Sequence, residues 1–145
     1  NKSEAAVGYS TLYGDTVGAY APIKDVYKTV VYELVRWRNE RDGSPVVPVS
    51  TIEKAPSAEL RPNQRDDENL PCYEDLDPLL EAYIEGDRTR VELVGDGFDA
   101  GLVEEVVRLV DKAEFKRRQN PPGVRVTRKG FGRDRRLPLI NRYRG

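Results

Sequence analysis

Side chains that could do chemistry concentrate in the first 28 residues of the chain. Glu4 is followed by the small residues 5–8, which allow a backbone or a ligand to approach closely. A carboxylate there could bind a Mg²⁺ ion whose other ligands are phosphate oxygens, although a lone glutamate is more often a solvated helix residue. Lys28 follows Pro22 near the start of a predicted helix, where its ammonium could contact a phosphate or simply face solvent.

Two residues further along the chain have competing interpretations. Ser57 follows an apolar run that we predict to be a strand, and ligands of open α/β sheets bind beyond the carboxyl ends of strands. The same serine could equally cap a helix or a turn. Cys72 is the single cysteine and the chain has no histidine, which excludes a Cys–His pair for nucleophilic catalysis and a Cys/His zinc cluster. The acidic residues 66–68 show no ligand spacing and are predicted to form a solvated loop.

Four helices and one short strand are predicted to position these side chains. The helices, indicated by apolar or small residues at helical spacing, cover 1–13, 24–41, 74–85 and 102–112. Asp99 is the predicted N-cap of the last helix, which we expect to continue through residue 118. The run 46–51 is predicted to be an edge strand because Pro48 cannot donate to a central ladder. The proline-marked stretch 57–71 is predicted to be a long functional loop.

Basic residues accumulate at the carboxyl end. Residues 116–145 contain eleven Lys or Arg and one acidic residue, so the other acidic residues of the chain all lie before residue 116. Such a tail could bind nucleic acid, but its aromatic residues, Phe131 and Tyr143, are few for base stacking. Because the rest of the chain offers complementary acid, we favour docking on an acidic protein surface. A non-enzymatic module that binds anions or acidic partners through this tail is the alternative to an enzyme.

Composition limits the class of protein. No run approaches the roughly 18 apolar residues of a membrane helix, and no signal-peptide pattern occurs, so we predict a cytoplasmic protein without membrane contact. The chain has no methionine at all, and we therefore expect it to be a piece of a longer protein.

Three stretches, in the family's order, resemble the synthetase domain of NAD synthetases. They are Asn-Lys-Ser-Glu, Gly-Tyr-Ser-Thr-Leu-Tyr-Gly-Asp and Ala-Pro-Ile-Lys-Asp-Val-Tyr-Lys within 1–28, Lys-Ala-Pro-Ser-Ala-Glu-Leu-Arg-Pro-Asn-Gln at 54–64, and Glu-Phe-Lys-Arg-Arg-Gln-Asn-Pro-Pro at 114–122. The resemblance implies the C-terminal portion of an α/β, Rossmann-like fold of the adenine nucleotide alpha-hydrolase type. It would comprise mostly helices and a short edge strand over 1–118, followed by an extended basic tail over 119–145.

The resemblance also implies a reaction and its binding residues. ATP and Mg²⁺ would adenylylate the nicotinate carboxylate of deamido-NAD, and ammonia would attack the acyl-adenylate to give NAD⁺, with no protein nucleophile. Lys28 and Ser57 would contact ATP, and Glu4 would hold the metal. The residues implied to contact deamido-NAD are Glu4, Tyr9, Leu12, Asp15 and Lys116.

Three positions match the glutamine-dependent branch rather than the ammonia-dependent one, namely Leu12, Ala19 and Phe115. This branch obtains ammonia from glutamine in an upstream glutaminase domain, and the resemblance implies a homo-oligomer. Because residues 1–145 contain no glycine-rich phosphate loop, we expect the chain alone to make no NAD⁺ and to bind ATP weakly. We also expect it to be partly molten, with exposed apolar faces at Val30, Leu34, Trp37, Val106 and Leu109.

Overall fold

The structure is a computed structural model that describes residues 1–14, 16–41, 43–57 and 70–140. Within these ranges the regular elements are helices joined by turns and extended segments. In chain order they are α1 Lys2–Val7, α2 Lys28–Arg41, α3 Val49–Glu53, α4 Tyr73–Ile84, α5 Arg90–Gly95, α6 Ala100–Lys112 and α7 Glu114–Arg117. In the described part of the tail, Phe131 and Arg135 form an isolated β-bridge.

The core lies between α1, α4 and α6, which contact one another. Leu76, Leu80 and Val106 are fully buried, and burying such a side chain contributes about 1.5–3 kcal/mol each. The predicted helices 74–85 and 102–112 are thereby confirmed, with boundaries within two residues. The expectation that Val106 and Leu109 would be exposed is wrong, because α6 packs against α1 and α4 and Leu109 adds to the same cluster.

Helices α6 and α5 each begin with a side-chain cap. The carboxylate of Asp99 accepts a hydrogen bond from the Leu102 N–H at 2.9 Å, which confirms the predicted N-cap of α6. Helix α5 was not predicted, because six residues are too few to show helical periodicity. Its start is a capping box in which Thr89 and Glu92 each bond the other's backbone N–H, a signal that the sequence did contain.

The first helix is shorter than the predicted 1–13. It ends at Val7 because Gly8 adopts a left-handed conformation, with φ 74°, and its N–H bonds the Glu4 carbonyl. A Cβ at position 8 would lie 2.8 Å from the Cβ of Ala113, so the close approach to the end of α6 also requires glycine.

The second helix begins at Lys28 instead of residue 24. The N–H of Lys2 donates to the Val26 carbonyl at 2.8 Å, and the carboxylate of Asp25 accepts from two backbone amides of the tail. Residues 24–27 therefore form turns that bond to distant parts of the chain instead of a helical turn.

The segment predicted to be an edge strand is instead the loop before α3 and α3 itself. The side chain of Asn39 accepts from the N–H groups of Val46 and Val47 and donates to the Val47 carbonyl, each at 2.9 Å. One amide thus satisfies backbone groups that a strand would pair with a neighbour. Pro48 then occupies the N-cap position of α3, where its missing N–H costs nothing.

Helix α2 lies on the surface and none of its residues is buried. Val30, Leu34 and Trp37 are 38%, 48% and 53% exposed, as expected from the sequence. Only the part of α2 that contacts α1 and α4 is tied to the core. Among the described helices, none combines the length and the apolar character that a membrane span needs.

The described part of the basic tail folds back onto the helices. Asp25 accepts hydrogen bonds from the N–H groups of Val126 and Thr127 at 2.8 and 2.9 Å, and Glu85 accepts from the Arg128 N–H at 3.0 Å. The tail thus docks on acidic side chains of its own chain, as expected from the sequence analysis, which favoured an acidic protein surface over nucleic acid. These three contacts use backbone amides of the tail, and among its basic side chains Lys129 pairs with Asp87 and Arg135 lies over the ring of Tyr83.

Candidate functional site

Glu4 and Lys28 meet where α1 passes the start of α2. The Nζ atom of Lys28 lies 3.1 Å from Oε1 of Glu4, and the two side chains are 20% and 25% exposed. The rings of Tyr73 and Tyr32 flank the ammonium, with their centroids 5.4 and 5.9 Å from Nζ. Two candidate residues from different helices therefore form one partly exposed ion pair.

A buried network fixes the backbone beneath this ion pair. Ser3 is fully buried and its hydroxyl donates to Oδ1 of Asp77 at 2.5 Å while accepting from the Lys28 N–H at 2.9 Å. The other oxygen of Asp77 accepts from the N–H and the hydroxyl of Thr29, at 2.9 and 2.8 Å. The first N–H groups of α2 are thereby satisfied by side chains of α1 and α4.

The ionisation of Glu4 is compatible with cation binding. Burial raises the pKa of Glu4, whereas the charge of the Lys28 ammonium and its hydrogen bond lower it and favour the carboxylate. Among the described residues, no three His, Cys, Asp or Glu side chains come together in a metal-binding group. One ionised carboxylate fits Mg²⁺, which binds few protein oxygens and completes its shell with phosphates and water.

A cleft of about 270 Å³ lies between α2, the segment that follows α3, and the start of α4. Tyr32 and Tyr73 line this cleft and also flank the ammonium of Lys28, which is therefore next to it. Ser57 directly follows Pro56, another lining residue, so both candidate ATP contacts neighbour residues that line the cleft, although neither lines it itself. Ser57 follows α3 instead of the predicted strand, so the prediction that it lies beyond the end of a strand is wrong. Residues 58–69, with the acidic run 66–68, lie outside the described residues.

Lys116 contacts the turn that carries another candidate residue. Its Nζ atom donates to the carbonyls of Gly8 and Ser10, at 2.7 and 2.8 Å, and these carbonyls flank Tyr9. Tyr9 is partly buried against the core, and Leu12 is partly exposed in the following turn. The structure thus brings Lys116 to Tyr9 but uses its ammonium on backbone carbonyls. Asp15, the remaining candidate for deamido-NAD, lies outside the described residues.

A cluster around Lys2 was missed by the sequence analysis. The fully buried Lys2 donates to Oε1 of Glu85 at 2.9 Å, to the Thr127 hydroxyl at 2.5 Å and to the Lys129 carbonyl at 2.9 Å. Its Nζ atom also lies 3.3 Å from the Asp25 carboxylate. A lysine is almost never fully buried without partners, but these partners are far along the chain. The only sequence signal was the position of Lys2 beside Ser3 and Glu4.

Known proteins resemble this chain in sequence and in fold. The family model for NAD synthase matches residues 1–120. The glutamine-dependent NAD(+) synthetases of Acinetobacter baylyi and Xanthomonas campestris pv. campestris are 52% and 51% identical to this chain over 144 and 145 residues. These matches cover 99% and 100% of this chain but 27% and 26% of the relatives.

A solved structure shows the fold. The crystal structure of a glutamine-dependent NAD(+) synthetase from Cytophaga hutchinsonii matches with a TM-score of 0.75 at 22% identity, over 98% of this chain and 23% of that chain. The predicted α/β, Rossmann-like class is confirmed by this likeness, and the helices described above form its C-terminal portion.

Proposed function

Since the chain belongs to the NAD synthase family, we propose that it is part of a glutamine-dependent NAD⁺ synthetase that amidates deamido-NAD with ATP. ATP adenylylates the nicotinate carboxylate with release of pyrophosphate, and ammonia derived from glutamine then displaces AMP. The chain spans about a quarter of the length of the curated relatives that it matches. The phosphate loop and the glutaminase site therefore belong to the upstream portion of the proposed homo-oligomeric enzyme.

The ion pair of Glu4 and Lys28 is the observation that carries the proposal. The carboxylate proposed for Mg²⁺ and the ammonium proposed for a phosphate lie 3.1 Å apart, next to a cleft whose lining includes Pro56, the residue before Ser57. Mg²⁺, when bound by Glu4, would neutralise charge on the transferring phosphate. Lys28 binds and orients the nucleotide phosphates, because an ammonium that ends a flexible stem can move from the carboxylate to a phosphate.

Catalysis in this proposal is electrostatic and positional, without a protein nucleophile. Cys72 lies at the cleft, but the hydrogen bond from its thiol to Asp75 raises the pKa of Cys72. The sulfur therefore stays a thiol at neutral pH, which is a poor nucleophile.

Deamido-NAD is proposed to lie along the turn held by Lys116. This turn carries Tyr9, and Leu12 and Asp15 follow it in the sequence. Lys116 contributes by holding the turn through two carbonyls, in addition to any contact with the dinucleotide.

The test measures NAD⁺ formation and pyrophosphate release by the full-length protein with deamido-NAD, ATP and Mg²⁺, using ammonia and then glutamine as the nitrogen donor. Glu4→Gln should lower the rate of pyrophosphate release about a hundredfold, and excess Mg²⁺ should restore part of it. Glu33→Gln, a matched change at an exposed position of α2, is the control. An unchanged rate at limiting Mg²⁺ would remove Glu4 from the metal site.

Binding of nucleic acid or of acidic partners through the tail is the competing function. Arg128, Arg133 and Arg136 are exposed and could support it, whereas the tail backbone is already bonded to Asp25 and Glu85. A salt titration of nucleic-acid binding separates the two functions, because release of counterions by several arginines gives a steep slope.

A further inference from the structure

The N–H groups that open α2 are held by side chains from two other helices. The Ser3 hydroxyl accepts from Lys28 N–H, and Asp77 accepts from the N–H and hydroxyl of Thr29. The hydroxyl of Ser3 also donates to Asp77, so one continuous network joins α1, α2 and α4. Ser3 is fully buried and Asp77 is 4% exposed, so water does not compete for these bonds.

The network acts on the two residues proposed to face the nucleotide. Glu4 is the residue after Ser3 on α1, and Lys28 is the residue whose amide Ser3 binds. The relative position of the Glu4 carboxylate and the Lys28 ammonium therefore depends on the Ser3 hydroxyl and the Asp77 carboxylate, both of which are buried. Small displacements of binding groups have large consequences for phosphate chemistry.

We propose that Ser3 and Asp77 are positioning residues that set the spacing of Glu4 and Lys28 for Mg-nucleotide binding, an inference that rests on the proposed function. A role limited to stability would make the protein easier to unfold without altering the nucleotide affinity of the folded state. A positioning role lowers that affinity while the protein is still folded.

The experiment compares Ser3→Ala with Thr89→Ala in the full-length protein. Both variants remove a hydroxyl that caps a helix N-terminus, but Thr89 caps α5, a helix that carries no member of the network and neither residue of the ion pair. Binding of a non-hydrolysable ATP analogue with Mg²⁺ is measured by calorimetry, below the unfolding temperature of each variant. Hydrogen exchange of the amides of Lys28 and Thr29 reports directly on the network.

Ser3→Ala should weaken binding of the analogue about tenfold, as expected for one lost hydrogen bond to a charged group, and should speed exchange of both amides. Thr89→Ala should leave affinity and exchange at the wild-type level. Equal affinities for the two variants, or faster exchange with unchanged affinity, would overturn the positioning role.

Two further variants keep the test decisive if Ser3→Ala does not fold. Asp77→Asn retains the shape of the side chain but offers an N–H₂ group to one of its donors, and should weaken binding at least as much. Thr29→Ser retains every hydrogen bond of the network and should bind as the wild type does. If wild-type protein binds the analogue and forms NAD⁺ while Asp77→Asn also binds normally, the inference fails and the proposed function stands. If the wild type forms no NAD⁺, the proposed function itself fails.

Discussion

Replacing Lys2 by methionine tests whether a buried ammonium holds the tail onto the helices. Methionine keeps most of the volume of lysine but removes the charge and all of its hydrogen bonds. In the structure these bonds join α1 to Glu85 and to two residues of the tail, Thr127 and Lys129. We expect the tail to detach from the helices far more often in Lys2→Met.

The magnitude follows from what the two carboxylates retain. Removing one partner of a buried ion pair typically costs about 3–5 kcal/mol. Asp25 keeps its bonds from the amides of the tail, and Glu85 keeps those from the Tyr27 hydroxyl and the Arg128 N–H. Because these bonds partly compensate for the lost ammonium, we expect a cost at the lower end of this range, about 3 kcal/mol. This cost corresponds to roughly a hundredfold change in the equilibrium between the docked and the detached tail.

Hydrogen exchange of the amides of residues 126–128 measures this opening directly, because these N–H groups donate to the two carboxylates. They should exchange about a hundredfold faster in Lys2→Met. Lys112→Met, which removes the same charge at an exposed position of α6, should leave the exchange unchanged. Adding Glu85→Gln to Lys2→Met should recover part of the loss, since it removes an uncompensated buried charge. An acceleration below about threefold would show that the Lys2 ammonium does not hold the tail on the helices.

Three further predictions concern Gly8, Lys116 and Glu4. Gly8→Ala should lower the free energy of unfolding by roughly 1–3 kcal/mol, because position 8 has a positive φ and the added Cβ would clash with Ala113. The unfolding temperature should fall accordingly, and an unchanged melting curve would contradict this. Lys116→Ala should raise the KM for deamido-NAD more than the KM for ATP in steady-state kinetics, and equal effects would indicate misfolding. Pairing with Lys28 lowers the pKa of Glu4, so the stability from this ion pair is present at neutral pH and is lost on acidification as the carboxylate is protonated. The difference in melting temperature between wild type and Glu4→Gln should therefore shrink on acidification.

Local sequence patterns were sufficient for the helices that form the core. Leu76 and Val106 belong to apolar faces with helical spacing, and Asp99 has the side chain and position of an N-cap. Such features depend on residues within one or two turns, so they can be recognised without the fold. The motifs that carry Glu4, Lys28 and Lys116 likewise sufficed for the family, because each motif is a short run of adjacent residues.

Tertiary structure decided where helices end and which polar side chains are structural. Residues 46–51 form no strand because the side chain of Asn39, on α2, binds the backbone of Val46 and Val47, and because Val49 starts α3. Lys2 and Asp77 are satisfied by residues that lie far from them in the sequence. A buried lysine and an exposed one look the same in a sequence, since desolvation and its compensation depend on partners brought together by packing. The sequence alone could therefore identify Glu4 and Lys28 as candidates, but only the packing of α1, α2 and α4 brings them together as one ion pair.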